Sequence, residues 1–226
     1  MTDGADRLLI IGWDGADWDI LDPLIQGGYL PNVAEMVGSG ARGVLMSSVP
    51  YNSWVAWTSF LTGMNPGGHG VFDFVERRPD QRGRRVPVTS RSIGAATFLE
   101  ILSTAGVEIR AANIPSTFPP FPVLGRMIGG VAIPRGARFV YPAQWAAELE
   151  RTAPFPVNGM EWTRFRGRPG ALVSEARSYV QRRTASFEAL LMGDWALAVC
   201  VYVAPDRMQH PFGDRLLPAH PDYAAT

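Results

Sequence analysis

Two continuous apolar runs, one near each end of a 226-residue chain, most constrain what the chain can fold into. The first is Leu8-Leu9-Ile10-Ile11; the second lies within Ala196 to Val203. Neither alternates apolar with polar residues, so each reads as a central strand of a parallel sheet, covered on both faces. Each run leads into a carboxylate. Gly12-Trp13-Asp14-Gly15 follows the first, and Ala204-Pro205-Asp206-Arg207-Met208-Gln209-His210 follows the second. Open α/β sheets bind ligands at the carboxyl ends of their strands, which makes Asp14 and Asp206 candidate site residues. Asp14 can instead cap the next helix, although Asp17, Asp19 and Asp22 compete for that role. If 206–210 forms one helical turn, Asp206 and His210 project from one side and can grip one cation. The alternative for this pair is a helix cap beside a surface histidine. No Gly-x-Gly-x-x-Gly follows the first run, so a dinucleotide-binding fold has little support.

The intervening segments alternate. Trp18 to Gln26 reads as a helix stopped by Gly27-Gly28, and Leu30-Pro31-Asn32 opens a second that ends near Gly38 to Gly40. Arg42 to Ser48 is predicted as a strand, Ile93 to Ala105 as a helix ended by Gly106, and Val107 to Ala112 as a strand. From Asn113 to about Pro156 the chain is rich in Pro and Gly. That stretch is predicted to be an irregular cap or lid, spanning about 113–165, within a single domain that covers 1–226. It holds one helix at Pro142 to Arg151. Leu172 to Met192 is a longer helix with Val173, Ala176, Val180, Phe187, Leu190 and Leu191 broadly on one side. Strands alternating with helices predict a layered α/β domain.

Between these elements lies Val49 to Gly70. Trp54 to Thr62 is predicted as a short helix, with Trp54, Trp57, Phe60 and Leu61 at the spacing of one packed face. Gly63 stops it and Pro66 keeps it stopped. Asn52 and Ser53 stand immediately before it, where backbone N–H groups are unpaired and the helix dipole favours negative charge. An anion can be held there and a hydroxyl ionised, so Ser53 is a candidate nucleophile. The structural alternative is that Ser53 is an ordinary N-cap.

Apolar residues make up 46% of the chain and charged residues 19%, a globular composition. Twenty-one basic and twenty-one acidic residues cancel, and no face is forced to be a nucleic-acid footprint. Arg77, Arg78, Arg82, Arg84 and Arg85 cluster in what reads as an exposed, mobile loop. The single Cys200 excludes an internal disulfide and reads as a small core residue. The apolar run Leu8 to Ile11 is too short for a signal peptide or a membrane span, which places the protein in the cytoplasm and off the membrane. His69 reads as fixing a Gly-rich turn, and His220 receives no role.

Three blocks taken together resemble the type I phosphodiesterase and nucleotide pyrophosphatase branch of the alkaline phosphatase superfamily. They are Ile11-Gly12-Trp13-Asp14-Gly15; Ala56-Trp57-Thr58-Ser59-Phe60 with Thr62-Gly63-Met64-Asn65-Pro66 and His69-Gly70; and Pro205-Asp206-Arg207-Met208-Gln209-His210. They stand in the family's order, and the middle block is the specific one. The resemblance implies an alkaline-phosphatase-like α/β fold with a largely parallel sheet and helices on both faces. It also implies two divalent metal ions, usually zinc with manganese as an alternative, flanking a Ser or Thr nucleophile. Nine residues before Thr62, the family's nucleophile falls on Ser53. Asp14 with Ser53 matches one metal, and Asp206 with His210 matches the other. Asn52 adjoins the nucleophile, where it is placed to touch a phosphoryl oxygen.

The implied activity is metal-dependent hydrolysis of a small phosphodiester or nucleotide pyrophosphate through a phosphoseryl intermediate. The family's pattern continues with Ser-Asp-His-Gly and a later histidine, neither of which occurs here. The resemblance therefore implies the N-terminal half of a larger hydrolase, with metal sites completed by a missing C-terminal half or across a homodimer. A catalytic zinc usually has three protein ligands, so this chain alone is expected to bind metal poorly and to be weakly active or inactive. The alternatives are a non-catalytic remnant that binds an anion or a partner, and, less favoured, a phosphomutase of the same superfamily. The sulfatase type needs a Cys near position 53, and none is there.

Overall fold

The computed structural model describes residues 7–78, 82–157, 160–165 and 168–213. The strands are β1 (Leu8–Trp13), β2 (Val75–Arg78), β3 (Arg84–Pro87), β4 (Ile109–Ala112), β5 (Gly125–Ile128), β6 (Val140–Tyr141) and β7 (Leu197–Tyr202). The helices are α1 (Trp18–Gln26), α2 (Pro31–Ser39), α3 (Ser53–Thr62), α4 (Pro66–His69), α5 (Phe98–Thr104), α6 (Ala146–Thr152), α7 (Pro169–Leu190) and α8 (Ala204–Phe212). Among the described residues the main sheet runs β1-β7-β4-β5-β6, parallel throughout except for β6 against β5. β2 and β3 form a separate antiparallel ribbon.

The layering follows from β7. Every residue of β7 but Tyr202 is buried, because β1 and β4 bond its two edges while helices cover its two faces. Leu197, Val199 and Val201 pack with Leu61 of α3 and Leu99 of α5. Cys200, on the opposite face, packs with Leu149 of α6 and with Phe187 and Leu190 of α7. Burial pushes the Cys200 thiol up to about 12, so it is an inert core group.

Several predicted elements differ. β1 was expected to be central and covered on both faces, but it lies at the sheet edge, bonded to β7 alone among the described strands. Leu8 is 58% and Ile11 55% exposed. A continuous apolar run reports an affinity for burial and does not say which strand lies beside it. Arg42 to Ser48 is not a strand: no described strand pairs with it, and Val44, Leu45 and Met46 are exposed. Its start is held instead by Arg42, which pairs with Asp22 at 2.7 Å and stacks over Trp18. The arginine-rich segment, read as a loop, is the β2–β3 ribbon around the undescribed residues 79–81. The helix expected from Ile93 starts at Phe98, because Thr97 and Glu100 form a reciprocal capping box.

Within the stretch read as an irregular cap, β5 and β6 join the central sheet, and Ile114, Met127, Ile128 and Trp145 are core residues. In α7 the buried residues are Leu172, Ala176, Tyr179, Arg183, Ser186, Phe187 and Leu190, so the expected face is shifted and includes an arginine. No helix among the described residues is long and apolar enough to cross a membrane.

Candidate active site

β1 and β7 run parallel in register, with Trp13 opposite Tyr202, so their carboxyl ends finish side by side. The Asp14 N–H donates to the Tyr202 carbonyl at 2.9 Å, and the Asp206 N–H donates to the Asp14 carbonyl at 2.9 Å. The Gln209 amide donates to the Gly15 carbonyl at 2.5 Å. These bonds hold the first turn of α8 against residues 14 and 15. Gly15 makes the approach possible: its φ is +76°, and a Cβ there would lie 2.9 Å from the Asp206 Cα. The competition for the cap of α1 is won by Asp17, which accepts from the Asp19 N–H at 2.8 Å. Asp14 is thus left to face the cleft.

The third element is α3. Asn52, not Ser53, is its N-cap: the Asn52 side chain accepts from the Trp54 N–H at 2.9 Å. Ser53 is the first helical residue, and hydrogen bonding with its hydroxyl helps the Asp14 carboxylate stay ionised. The face buried in the core is Val55, Thr58 and Leu61, whereas Trp57 and Phe60, expected to pack inward, line the cleft. The reason is polar. The Trp57 indole Nε1–H donates to Asp14 Oδ1 at 2.9 Å, forty-three residues away in sequence. Gly12 leaves room for that ring, since a Cβ there would sit 2.3 Å from it. Thr58 is occupied with Ser116 at 2.9 Å, and Ser59 with the Nε2 of His69 at 2.9 Å. His69 accepts at Nδ1 from the Val71 N–H, is neutral through burial, and fixes the turn after α4.

Asp14, Asn52, Ser53, Asp206 and His210 all line one open cleft of about 1060 Å³. His210 Nε2 lies 3.4 Å from Asp206 Oδ2, consistent with both sharing one side of α8. Carboxylate and imidazole are donors suited to zinc or manganese. Even so, among the described residues no group of three or more His, Cys, Asp and Glu side chains converges as a metal cage. Trp57 and Arg207 also line the cleft, and sequence reasoning assigned neither a role there. Trp57 looked like a packing residue, and nothing local to it signals a bond to Asp14.

Burial raises the Asp14 pKa above its ordinary value, and the Asp206 charge adds to the rise. Hydrogen bonds from Trp57 and Ser53, and the charge of Arg207, pull it back. Between the ordinary and the raised value the folded state binds more protons than the unfolded one, so stability falls as pH rises through that window. In chelator, Asp14→Asn removes this contribution to the slope and melts higher than the parent at neutral pH. Thermal unfolding across pH 4 to 8 checks both; an unchanged slope contradicts the assignment.

The sequence pattern of the type I phosphodiesterase/nucleotide pyrophosphatase family matches residues 8–226. The chain belongs to that family. No curated protein matches it. Among solved structures it is similar to phosphonoacetate hydrolase from Sinorhizobium meliloti 1021 in complex with phosphonoacetate, at TM-score 0.64 and 18% identity, covering 90% of this chain and 47% of that one. It is also similar to murine ectonucleotide pyrophosphatase/phosphodiesterase 5, at TM-score 0.55 and 13% identity, covering 97% of this chain and 48% of that one. The family member described here therefore spans about half the length of these structures and has the mixed α/β, mostly parallel-sheet fold of the alkaline phosphatase superfamily.

Proposed function

We propose that the protein hydrolyses small phosphoesters, with Ser53 as the nucleophile that carries the phosphoryl group. The observation that carries this reading is a hydroxyl at the free N-terminus of α3, released from capping by Asn52 and set against the buried Asp14. In the reaction the Ser53 oxygen forms a bond to phosphorus and the ester oxygen leaves; water then cleaves the phosphoserine. Asp14 and Ser53 would hold one divalent cation, and Asp206 with His210 a second. When bound, two such cations lower the pKa of the nucleophile and neutralise the attacking and leaving oxygens. Asp14 is kept in place by Trp57, and Asp206 by the α8–β1 backbone bonds. The Asn52 amide oxygen is used by the cap, which leaves its NH2 to donate to a phosphoryl oxygen.

With only these donors, metal affinity is low, and hydrolysis by this chain alone is expected to be slow or to need a companion that completes the sites. Substrate choice between a phosphodiester and a nucleotide pyrophosphate belongs to the whole protein. The test is hydrolysis of an activated aryl phosphodiester by the purified chain, with zinc or manganese and with chelator. Turnover that requires metal supports the reading. Metal-independent turnover defeats the metal-assisted mechanism, and a folded chain that stays inactive after the metals and a full-length relative's complementary half are supplied defeats the hydrolase reading in favour of the non-catalytic alternative.

A further inference from the structure

The residues of α3 divide between core and cleft. Val55, Thr58 and Leu61 are buried, whereas Ser53, Ala56, Trp57 and Phe60 line the cleft. Those four stand at i, i+3, i+4 and i+7, so the hydroxyl and the two rings share one face of the helix. Phe60 lies about 10 Å beyond Ser53 along the helix axis. Both rings are fixed by their neighbours. Trp57 donates to Asp14 and meets Phe60 edge-on, with centroids 5.6 Å apart at 84°, and Phe60 meets Phe98 of α5 at 5.4 Å and 89°. Phe60 is nonetheless 36% exposed. Trp54 and Phe74, with ring centroids 6.1 Å apart, line the same cleft, and Phe74 is 52% exposed.

The charged residues that line the cleft, Asp14, Asp206, Arg207 and His210, come from the end of β1 and from α8. Among the described residues, none of the lining side chains contributed by α3, by the segment 45–52 or by Phe74 is charged. A phosphoryl group at Ser53 therefore has charge on one side and an aromatic wall on the other. A charged group laid on that wall would lose water without gaining a partner, whereas an apolar group gains by burial. Mostly apolar walls with a few placed polar groups are how proteins hold small organic molecules.

Resting on the reading of this cleft as a phosphoester site, we propose that the α3 stripe of Trp57 and Phe60, with Trp54 and Phe74 beside it, seats the organic group esterified to the phosphoryl, and that this group is uncharged and apolar. The group runs from Ser53 along α3, and Phe60 is the residue that sets the preference for it. Trp57 joins the two halves of the cleft, with its N–H on Asp14 and its ring against Phe60. A ring and a short hydrocarbon chain share this chemistry, and the probes below tell them apart.

The test needs no turnover. Methylphosphonate, phenylphosphonate and n-hexylphosphonate share one anion and carry no ester bond. Each is titrated by calorimetry into the purified chain, with the same zinc concentration in cell and syringe, for wild type, F60S, F60L and F74S, with far-UV circular dichroism as the check of folding. Wild type is expected to bind phenylphosphonate or n-hexylphosphonate at least about tenfold more tightly than methylphosphonate, and the tighter of the two identifies a ring or a chain. In F60S the preference falls to within about threefold, whereas F60L, which keeps an apolar side chain, retains most of it. Should F60S not fold, F74S, at a half-exposed position, carries the comparison, with a preference reduced at least about threefold. Equal affinity of wild type for the three probes, no saturable binding of any of them up to about 100 mM, or an undiminished preference in the serine variants overturns the proposal. A Phe60-dependent preference in a chain that never hydrolyses esters leaves this subsite standing and removes the hydrolase reading. Metal-dependent hydrolysis by a chain that binds the three probes equally does the reverse.

Discussion

Ser53→Ala abolishes metal-dependent phosphoester hydrolysis, by a factor of at least about 10³, while the variant melts within about 0.5 kcal/mol of the parent. Both halves of this result follow from the same local structure. The helix cap is supplied by Asn52, whose side chain accepts from the Trp54 N–H, so removing the neighbouring hydroxyl leaves the α3 N-terminus satisfied. Chemistry has no substitute nearby. Thr58 is turned into the core against Ser116, and Ser59 is bonded to the buried His69. Steady-state rates with an aryl phosphodiester, compared in a companion-completed or otherwise active preparation, decide the matter. Residual activity within tenfold of the parent would show that the nucleophile is another group, whatever the family pattern implies.

Gly15→Ala lowers stability by about 2–4 kcal/mol and separates the two carboxylates of the cleft. One part of the cost is conformational, because a φ of +76° is unfavourable for a residue with a Cβ, at about 1 kcal/mol. The other is steric. The new methyl would lie 2.9 Å from the Asp206 Cα, a backbone atom that cannot rotate away, and forced overpacking of that kind costs about 1–3 kcal/mol. Gly63→Ala is the control: its φ is +65°, but nothing lies within 4 Å of the added Cβ, so only the conformational part applies. For a chain of this size the difference is a Tm lower by roughly 2–4 °C for each kcal/mol, read by thermal unfolding. Zinc affinity should fall in Gly15→Ala and hold in Gly63→Ala. Equal melting of the two variants would mean that the α8–β1 approach is looser than the structure shows.

How much was legible depends on whether the signal was local. The two apolar runs, the helix stops at Gly27 and Gly63, and the α8 turn that sets Asp206 beside His210 are all encoded within a few residues, and all are present in the fold. The start of α5 was also local, in Thr97-x-x-Glu100, but the apolar pattern beginning at Ile93 masked it. Arg42 to Ser48 failed for the opposite reason. Its residues have strand character, yet a strand exists only where another strand offers hydrogen bonds, and none of the described residues does.

Signals between neighbouring residues were enough to specify a layered α/β domain of the phosphodiesterase family, with carboxylates after two parallel strands and a hydroxyl at a helix start. Period and punctuation are properties of neighbouring residues, and hydrophobic burial acts on them directly. Long-range packing set the rest: β1 sits at the edge, Asn52 caps α3 in place of Ser53, and Trp57 reaches Asp14 past Gly12. Those outcomes depend on contacts between residues tens of positions apart. They are settled by how strands are ordered and helices packed, which local sequence does not specify.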